Sequence, residues 1–371
     1  MENAVFIVNN INYCLPGKKE HISSWKKYTS GNNILFYYSI YDRHTLKFLN
    51  FADSEMKNFL RRNPNSKIVF DNTRELIDHI DILEINQAAE SWVLNENQIV
   101  FLCSDEIQKK FVEVTINSYY VQTICLNTFL QDLVKNKKKS FHYMSNRYKK
   151  FSMLCRRHRP WRTYLFSSLV DSKLINEFKF SYHGVDNSKA LTTENIVSET
   201  ELATNKKLTT NFKNILERRP FGTVKRTDIY ASISDSIYLS DIHLAIEHNN
   251  QDEPDYDPLI PHHIFVSEKT YKPIITKKPF IVFSKPGFLD AMRQIGFQTF
   301  HPYINEEYDK IVDYDVKIDK IIKEVQRISN LKKEDYENLL EQCQPIVKHN
   351  YKVAKKLAKR HSWENVWKQL Y

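Results

Sequence analysis

Short apolar runs, each too brief for a helix and most followed by a helical pattern, constrain this chain more than any other feature. "AVFIVNN" (4–10), "NILFYYSIY" (33–41), "SKIVFDN" (66–72), "NQIVFLCSD" (97–105) and "YYVQTICLN" (119–127) are rich in β-branched and aromatic residues. Between several of them lie helical patterns such as "SEMKNFLRRNP" (54–64) and "SDEIQKKFVEVTINS" (104–118). Strands alternating with helices predict βαβ units and a largely parallel sheet. The runs are continuously apolar rather than alternating, which fits a sheet covered on both faces.

The series pauses at "KNKKKSFHYMSNRYKK" (135–150), a basic, polar stretch that reads as a linker. A second series follows. "KFSMLCR" (150–156) predicts a strand, "RPWRTYLFSSLVDSKLI" (159–175) a helix and "FKFSYHG" (178–184) a strand. Further on come "SIYLSDIHLAIEHN", a helix starting near Glu268, the strand "KPFIVFS" (278–284), a helix over 287–297 and a short strand "TFHPY". From about Asp315 the pattern is helical. The expected fold class is α/β, with two Rossmann-like domains facing each other across a cleft and a C-terminal helical segment. The expected boundaries are 1–145, 146–345 and a basic helix over 346–371 that packs back on the N-terminal domain. Ligands of open α/β sheets bind beyond the carboxyl ends of the strands, where the strand order reverses.

Several function classes are disfavoured. There is no 20-residue apolar run for a transmembrane span. The N-terminus lacks the basic and small-residue features of a secretory leader, so a cytoplasmic location is expected. Five cysteines, Cys14, Cys103, Cys125, Cys155 and Cys343, form no CxxC and pair with no His at metal-ligand spacing; they read as reduced core residues. With six glycines there is no GxGxxG and no GxxxxGK[ST], and neither GxSxG nor HExxH occurs. "DEPDYDP" (252–258) reads as an acidic loop, and no metal site is expected.

Two clusters remain. In "FVSEKTYKPI" (265–274), Ser267 is a plausible N-cap that places Glu268, Lys269 and Thr270 in a first helical turn. The positive end of a helix favours phosphate, Lys269 adds charge, and Glu268 suits ribose hydroxyls. A capped surface helix gives the same letters. In "CRRHRPWR", Arg156, Arg157, Arg159 and Arg162 follow an apolar strand, where four guanidiniums repel unless an anion joins them. The net charge of +9 permits a polyanionic partner such as double-stranded DNA. From Lys348 to Lys368 the chain carries seven Lys or Arg against one Glu.

Three blocks resemble a family of glycosyltransferases common in bacteriophages and large viruses, similar to fucosyltransferase-like enzymes of GT-B architecture. They are "FSMLCRRHRPWRTYLFSSL", the acidic residue Glu247 in "IEHN", and "FVSEKTYKPIITKKPFIVFSKPGFLDAMRQIGFQTFHPYINEEYDKIVD". Cys155 and Trp161 depart from the family pattern, where Asn and His are common. The resemblance covers roughly 150–315 and implies a nucleotide-sugar donor site. Glu268 would hold the donor ribose and Lys269 the diphosphate, with Ser267, Thr270 and Glu247 nearby. One of the four arginines would stabilise the departing diphosphate. Cations in place of a metal imply a reaction that needs no divalent ion and no cofactor. The base is then expected from the N-terminal half: Asp71 first, with Glu75 and Asp105 as alternatives. A hydroxymethylated base in phage DNA is the favoured acceptor; a saccharide, lipid or protein glycan is the other, and a non-catalytic nucleic-acid-binding protein is the competing class.

Overall fold

The structure, a computed structural model, describes residues 5–7, 35–39, 58, 60–62, 64, 66–72, 98–116, 121–136, 149–186, 189–218, 233, 235–247 and 264–370. The chain divides into two compact units. Unit 1 holds Met1–Gln131 and Leu357–Tyr371; unit 2 holds Asp132–Lys356. Both are α/β with parallel sheets. The last residues therefore group with the first unit. Most of the expected linker, 137–148, lies outside the described residues, as does the 252–258 loop.

Unit 1 carries five parallel strands: β1 (Val5–Ile7), β2 (Leu35–Ser39), β3 (Lys67–Asn72), β4 (Ile99–Cys103) and β5 (Val121–Cys125). Their order in the sheet is their order in the chain. Among the described residues of this half the strand order does not reverse, so the reversal that marks a ligand crevice is seen in unit 2. β4 is buried at every residue, which matches its unbroken apolar sequence. Helix α1 (Glu106–Ile116) links β4 to β5, and α2 (Thr128–Asn136) follows β5. Asp105 and Asn127 start these helices: Asp105 Oδ1 accepts from the amides of Ile107 and Gln108, and Asn127 Oδ1 from that of Leu130.

Unit 2 contains β6 (Lys149–Arg157), β7 (Phe178–Asp186), β8 (Lys189–Ala190), β9 (Ser240–Ile246) and β10 (Phe280–Phe283). The sheet order is β10-β9-β6-β7-β8, parallel except for β8. β7 lies on one side of β6, while β9 and β10 lie on the other. The order therefore reverses between β6 and β9, as the Rossmann-like expectation requires for this unit. The helices are α3 (Pro160–Asp171), α4 (Thr193–Thr204), α5 (Thr210–Leu216), α6 (Asp235–Tyr238), α7 (Glu268–Thr276), α8 (Phe288–Gln294), α9 (Tyr314–Ser329) and α10 (Lys333–Arg360). Leu165, Phe166 and Leu169 of α3 are buried, and Phe166 stacks on Tyr182 of β7 with ring centroids 5.0 Å apart. "TFHPY" forms turns, not the expected strand.

The expected single C-terminal helix is instead two. α10 ends at Arg360, and α11 (Trp363–Leu370) begins after a turn at His361 and Ser362. Among the described residues no helix is long and apolar enough to cross a membrane. Cys103, Cys125, Cys155 and Cys343 are free and buried, as expected; Cys14 lies outside the described residues.

Candidate functional site

The carboxyl ends of β6 and β9 flank the reversal in unit 2, and the sequence places its charged clusters just beyond them. β9 runs directly into Glu247, which is fully buried. Its carboxylate does not point to solvent. Oε1 accepts from the amides of Ser267 and Thr270, each at 3.2 Å, and from the Thr270 hydroxyl at 2.5 Å. Oε2 accepts from the Ser267 hydroxyl at 2.5 Å. Ser267 is the N-cap expected from sequence, with its Oγ 3.2 Å from the Lys269 amide. Glu247 thus acts as a second cap delivered by the neighbouring strand.

This changes the phosphate argument. A helix N-terminus attracts an anion through its free amides. Here a protein carboxylate already engages two of the amides, and the Ser267 hydroxyl a third. The anion-binding capacity of this edge therefore rests on cationic side chains.

Glu268 and Lys269 divide in exposure. Glu268 retains 5% of its side-chain surface and Lys269 retains 28%, with Lys269 Nζ 3.0 Å from Glu268 Oε1. Lys269 also reaches back 3.3 Å to Ser267 Oγ. Burial pushes the Glu268 carboxyl up, but Lys269 and Lys272 outweigh it and hold the group below its usual range. Lys272, one turn on, is buried; desolvation pulls its ammonium down to about 8 against the support of Glu268 and Glu247. Sequence reading missed Lys272, although its i,i+4 spacing from Glu268 was a usable signal. Buried His243 on β9 is pulled down to about 3 by desolvation and then by Lys272, so it stays neutral; its Nδ1 is 2.8 Å from Ser152 Oγ.

The arginines separate into roles. Arg162 is buried, and its Nη2 donates to the Glu247 carbonyl at 3.0 Å, tying α3 to the end of β9. Arg159 is partly exposed in the N-cap position of α3, and Arg157 is partly exposed at the end of β6. The Arg156 side chain lies outside the described residues. Burial raises the Cys155 thiol, while the charges of Arg162, Lys269 and Arg159 oppose that shift. His158 is turned inward: its Nδ1 is 2.8 Å from Thr163 Oγ1, and its Nε2 is 3.1 Å from Glu199. The edge therefore gathers Arg159, Arg162, Lys269 and Lys272 against two carboxylates, Glu247 and Glu268, an arrangement that favours an added anion.

The three expected bases belong to unit 1. Asp71 is the fifth residue of β3, but its side chain lies outside the described residues, as does Glu75 altogether. Asp105 is buried, and its second oxygen, Oδ2, takes the Ser104 hydroxyl at 2.7 Å; burial raises its carboxyl. Its geometry is that of a helix cap.

No protein-family model and no curated protein matches the chain. Among solved structures, similarity is found to an α,α-trehalose-phosphate synthase (UDP-forming) from Burkholderia vietnamiensis. Its TM-score is 0.47 with 9% identity, covering 91% of this chain and 71% of that one. A second such enzyme, from Burkholderia xenovorans in complex with glucose-6-phosphate, gives a TM-score of 0.47 with 10% identity, covering 94% and 75%. T4 phage BGT in complex with its UDP-glucose substrate gives 0.40 with 11% identity, covering 100% and 99%. These likenesses assign no family.

Proposed function

We propose that this protein is a glycosyltransferase that moves a sugar from a nucleotide-diphosphate sugar to an acceptor hydroxyl. The observation that carries the reading is the bonded edge in which Arg162 grips the Glu247 carbonyl, Glu247 caps the helix that opens with Glu268, and Lys269 stands 3.0 Å from the buried Glu268 carboxylate. Glycosyl transfer needs the diphosphate leaving group neutralised and the reactants held in line. On this reading Lys269 and Arg159 contact the diphosphate, and Arg162 keeps the edge rigid by gripping Glu247. Ribose hydroxyls take over the Glu268 carboxylate, and Lys269 is released from its present partner to the phosphates. Cationic side chains do the neutralising without a divalent ion. A single in-line displacement inverts the anomeric centre, with a carboxylate of unit 1, Asp71 foremost, deprotonating the acceptor.

The favoured acceptor is a hydroxymethylated base in DNA, reached by flipping or exposing it. A stripe on α10 supports this: Lys348, Lys352, Lys356 and Lys359 are exposed and form no ion pair among the described residues. Spacings of three and four residues set these charges roughly 4.5–6 Å apart along the helix axis, on the scale of successive phosphates. A saccharide, lipid or protein glycan is the alternative acceptor.

The deciding experiment is incubation with a panel of nucleotide sugars and with hydroxymethylated or plain DNA, read by mass spectrometry. A mass gain of one sugar residue on modified DNA alone is expected. Donor binding without transfer to DNA overturns the DNA acceptor. No effect of any nucleoside diphosphate on thermal stability, with salt-sensitive DNA binding retained, overturns the enzyme reading in favour of a nucleic-acid-binding protein.

A further inference from the structure

Three chemically different ligating groups meet at the carboxyl edge of the unit 1 sheet. Cys125 ends β5, Glu106 opens α1 just after β4, and His361 occupies the turn between α10 and α11. One ligand atom from each, a sulfur, a nitrogen and an oxygen, can be chosen so that all lie within 4.8 Å of one another. His361 Nε2 stands 3.2 Å from Glu106 Oε1. Metal–ligand bonds of about 2.0–2.3 Å in a tetrahedron put ligand atoms about 3.3–3.8 Å apart. The trio needs a closure of roughly 1 Å to reach that geometry.

We propose that Glu106, Cys125 and His361 form a site for one divalent transition-metal ion of the zinc type, with its fourth position open. Thiolate with imidazole selects zinc or cobalt over magnesium or calcium. The groups are held by backbone rather than by chance. The His361 amide donates to Leu357, and its carbonyl accepts from the Asn127 amide at 3.1 Å and from Gln131 Nε2 at 2.8 Å. Cys125 is fixed by its register opposite Cys103 on β4. The imidazole is buried, and its Nδ1 has no hydrogen-bond partner among the described residues. Glu106 holds the ring proton on Nε2, and an ion bound there displaces that proton to Nδ1, whose lone pair has no other partner among the described residues. The ion takes the place of the thiol proton, which is released. Arg360 Nη2 reaches the same Glu106 oxygen at 3.5 Å from a largely exposed position, so it can withdraw to water. Sequence spacing could not reveal this site, because its members come from three distant segments. All three residues belong to unit 1 and none is a proposed donor residue, so the site stands or falls independently of the donor assignment.

The test is titration of the untagged, chelator-treated full chain with cobalt(II). The expected result is one equivalent bound, with thiolate-to-cobalt charge-transfer absorption and the strong visible bands of four-coordinate cobalt, both removed by zinc. Cys125→Ser should lose the charge-transfer band, and Glu106→Gln should weaken binding at least tenfold. Zinc should raise the melting temperature of the native chain and leave that of His361→Gln unmoved. No charge-transfer band at saturating cobalt, or a band that survives Cys125→Ser, overturns the proposal. If the serine variant fails to fold, unchanged cobalt affinity in Glu106→Gln overturns it instead.

Discussion

Glu247 Oε1 accepts both the amide of Thr270, at 3.2 Å, and its hydroxyl, at 2.5 Å, so the carboxylate that closes β9 caps α7. Glu247→Ala leaves the Ser267 and Thr270 donors buried without an acceptor. Each such group costs about 1–3 kcal/mol, so a loss of about 3–5 kcal/mol is expected in urea unfolding. Glu247→Gln keeps one acceptor oxygen and should lose about half as much. A loss below about 1 kcal/mol for the alanine variant would show that the cap is not structural.

Lys269→Ala should weaken nucleoside-diphosphate binding about ten- to hundredfold, the scale of one charge-assisted contact. Glu268→Ala should also weaken it while the fold survives, because the ribose loses its acceptor. Isothermal titration with UDP and GDP measures both. Unchanged affinity in both variants would refute the donor-site assignment.

Lys272 gives the site a pH signature. Its folded value is near 8, against 10.5 for an unburied lysine. From about 8 to 10.5 the unfolded chain therefore holds a proton that the folded chain has shed, and the burial penalty is relieved as pH rises through that window. A bound diphosphate works the other way, holding the proton on. Affinity for nucleoside diphosphate should accordingly fall roughly tenfold between about pH 7 and about pH 9.5, with proton uptake visible as a buffer-dependent binding enthalpy near pH 8. A flat profile in the native chain, or the same profile in Lys272→Met, would count against the assignment.

The α10 stripe predicts a salt slope. Each phosphate contact adds about 0.9 to the slope of log affinity against log salt on duplex DNA. Lys352→Ala and Lys356→Ala should each lower the slope by about 1 while weakening binding evenly across sequences. An unchanged slope in both would remove α10 from the DNA-binding surface.

Local signals made much of the architecture legible. Ser267 before Glu268 marked a helix start because a cap is a short-range event. The apolar runs at β4 and β9 marked strands for the same reason, and the Arg159–Arg162 cluster was visible as a run of positive charge after a strand. Long-range pairing was not legible. The strand order in each sheet, including the one-way winding of unit 1, depends on contacts across tens of residues. So does the role of Glu247, whose partners lie 20 and 23 residues downstream. Arg162 looked equivalent to Arg159 in sequence. Only its place on α3, facing the end of β9, makes it a strut while Arg159 stays at the surface.

The division of the chain also sets an order of manufacture. Unit 1 is built from two segments that flank unit 2 in the chain, so its sheet is synthesised before unit 2 but waits for residues 357–371, which follow it. Unit 2 is synthesised whole in the interval and can fold without that wait, the reverse of the usual N-terminal-first sequence. During the delay β5 and α2 lack the His361 carbonyl and the neighbouring α11, so a nascent chain stalled before residue 357 would have a finished second unit and an unclosed first one.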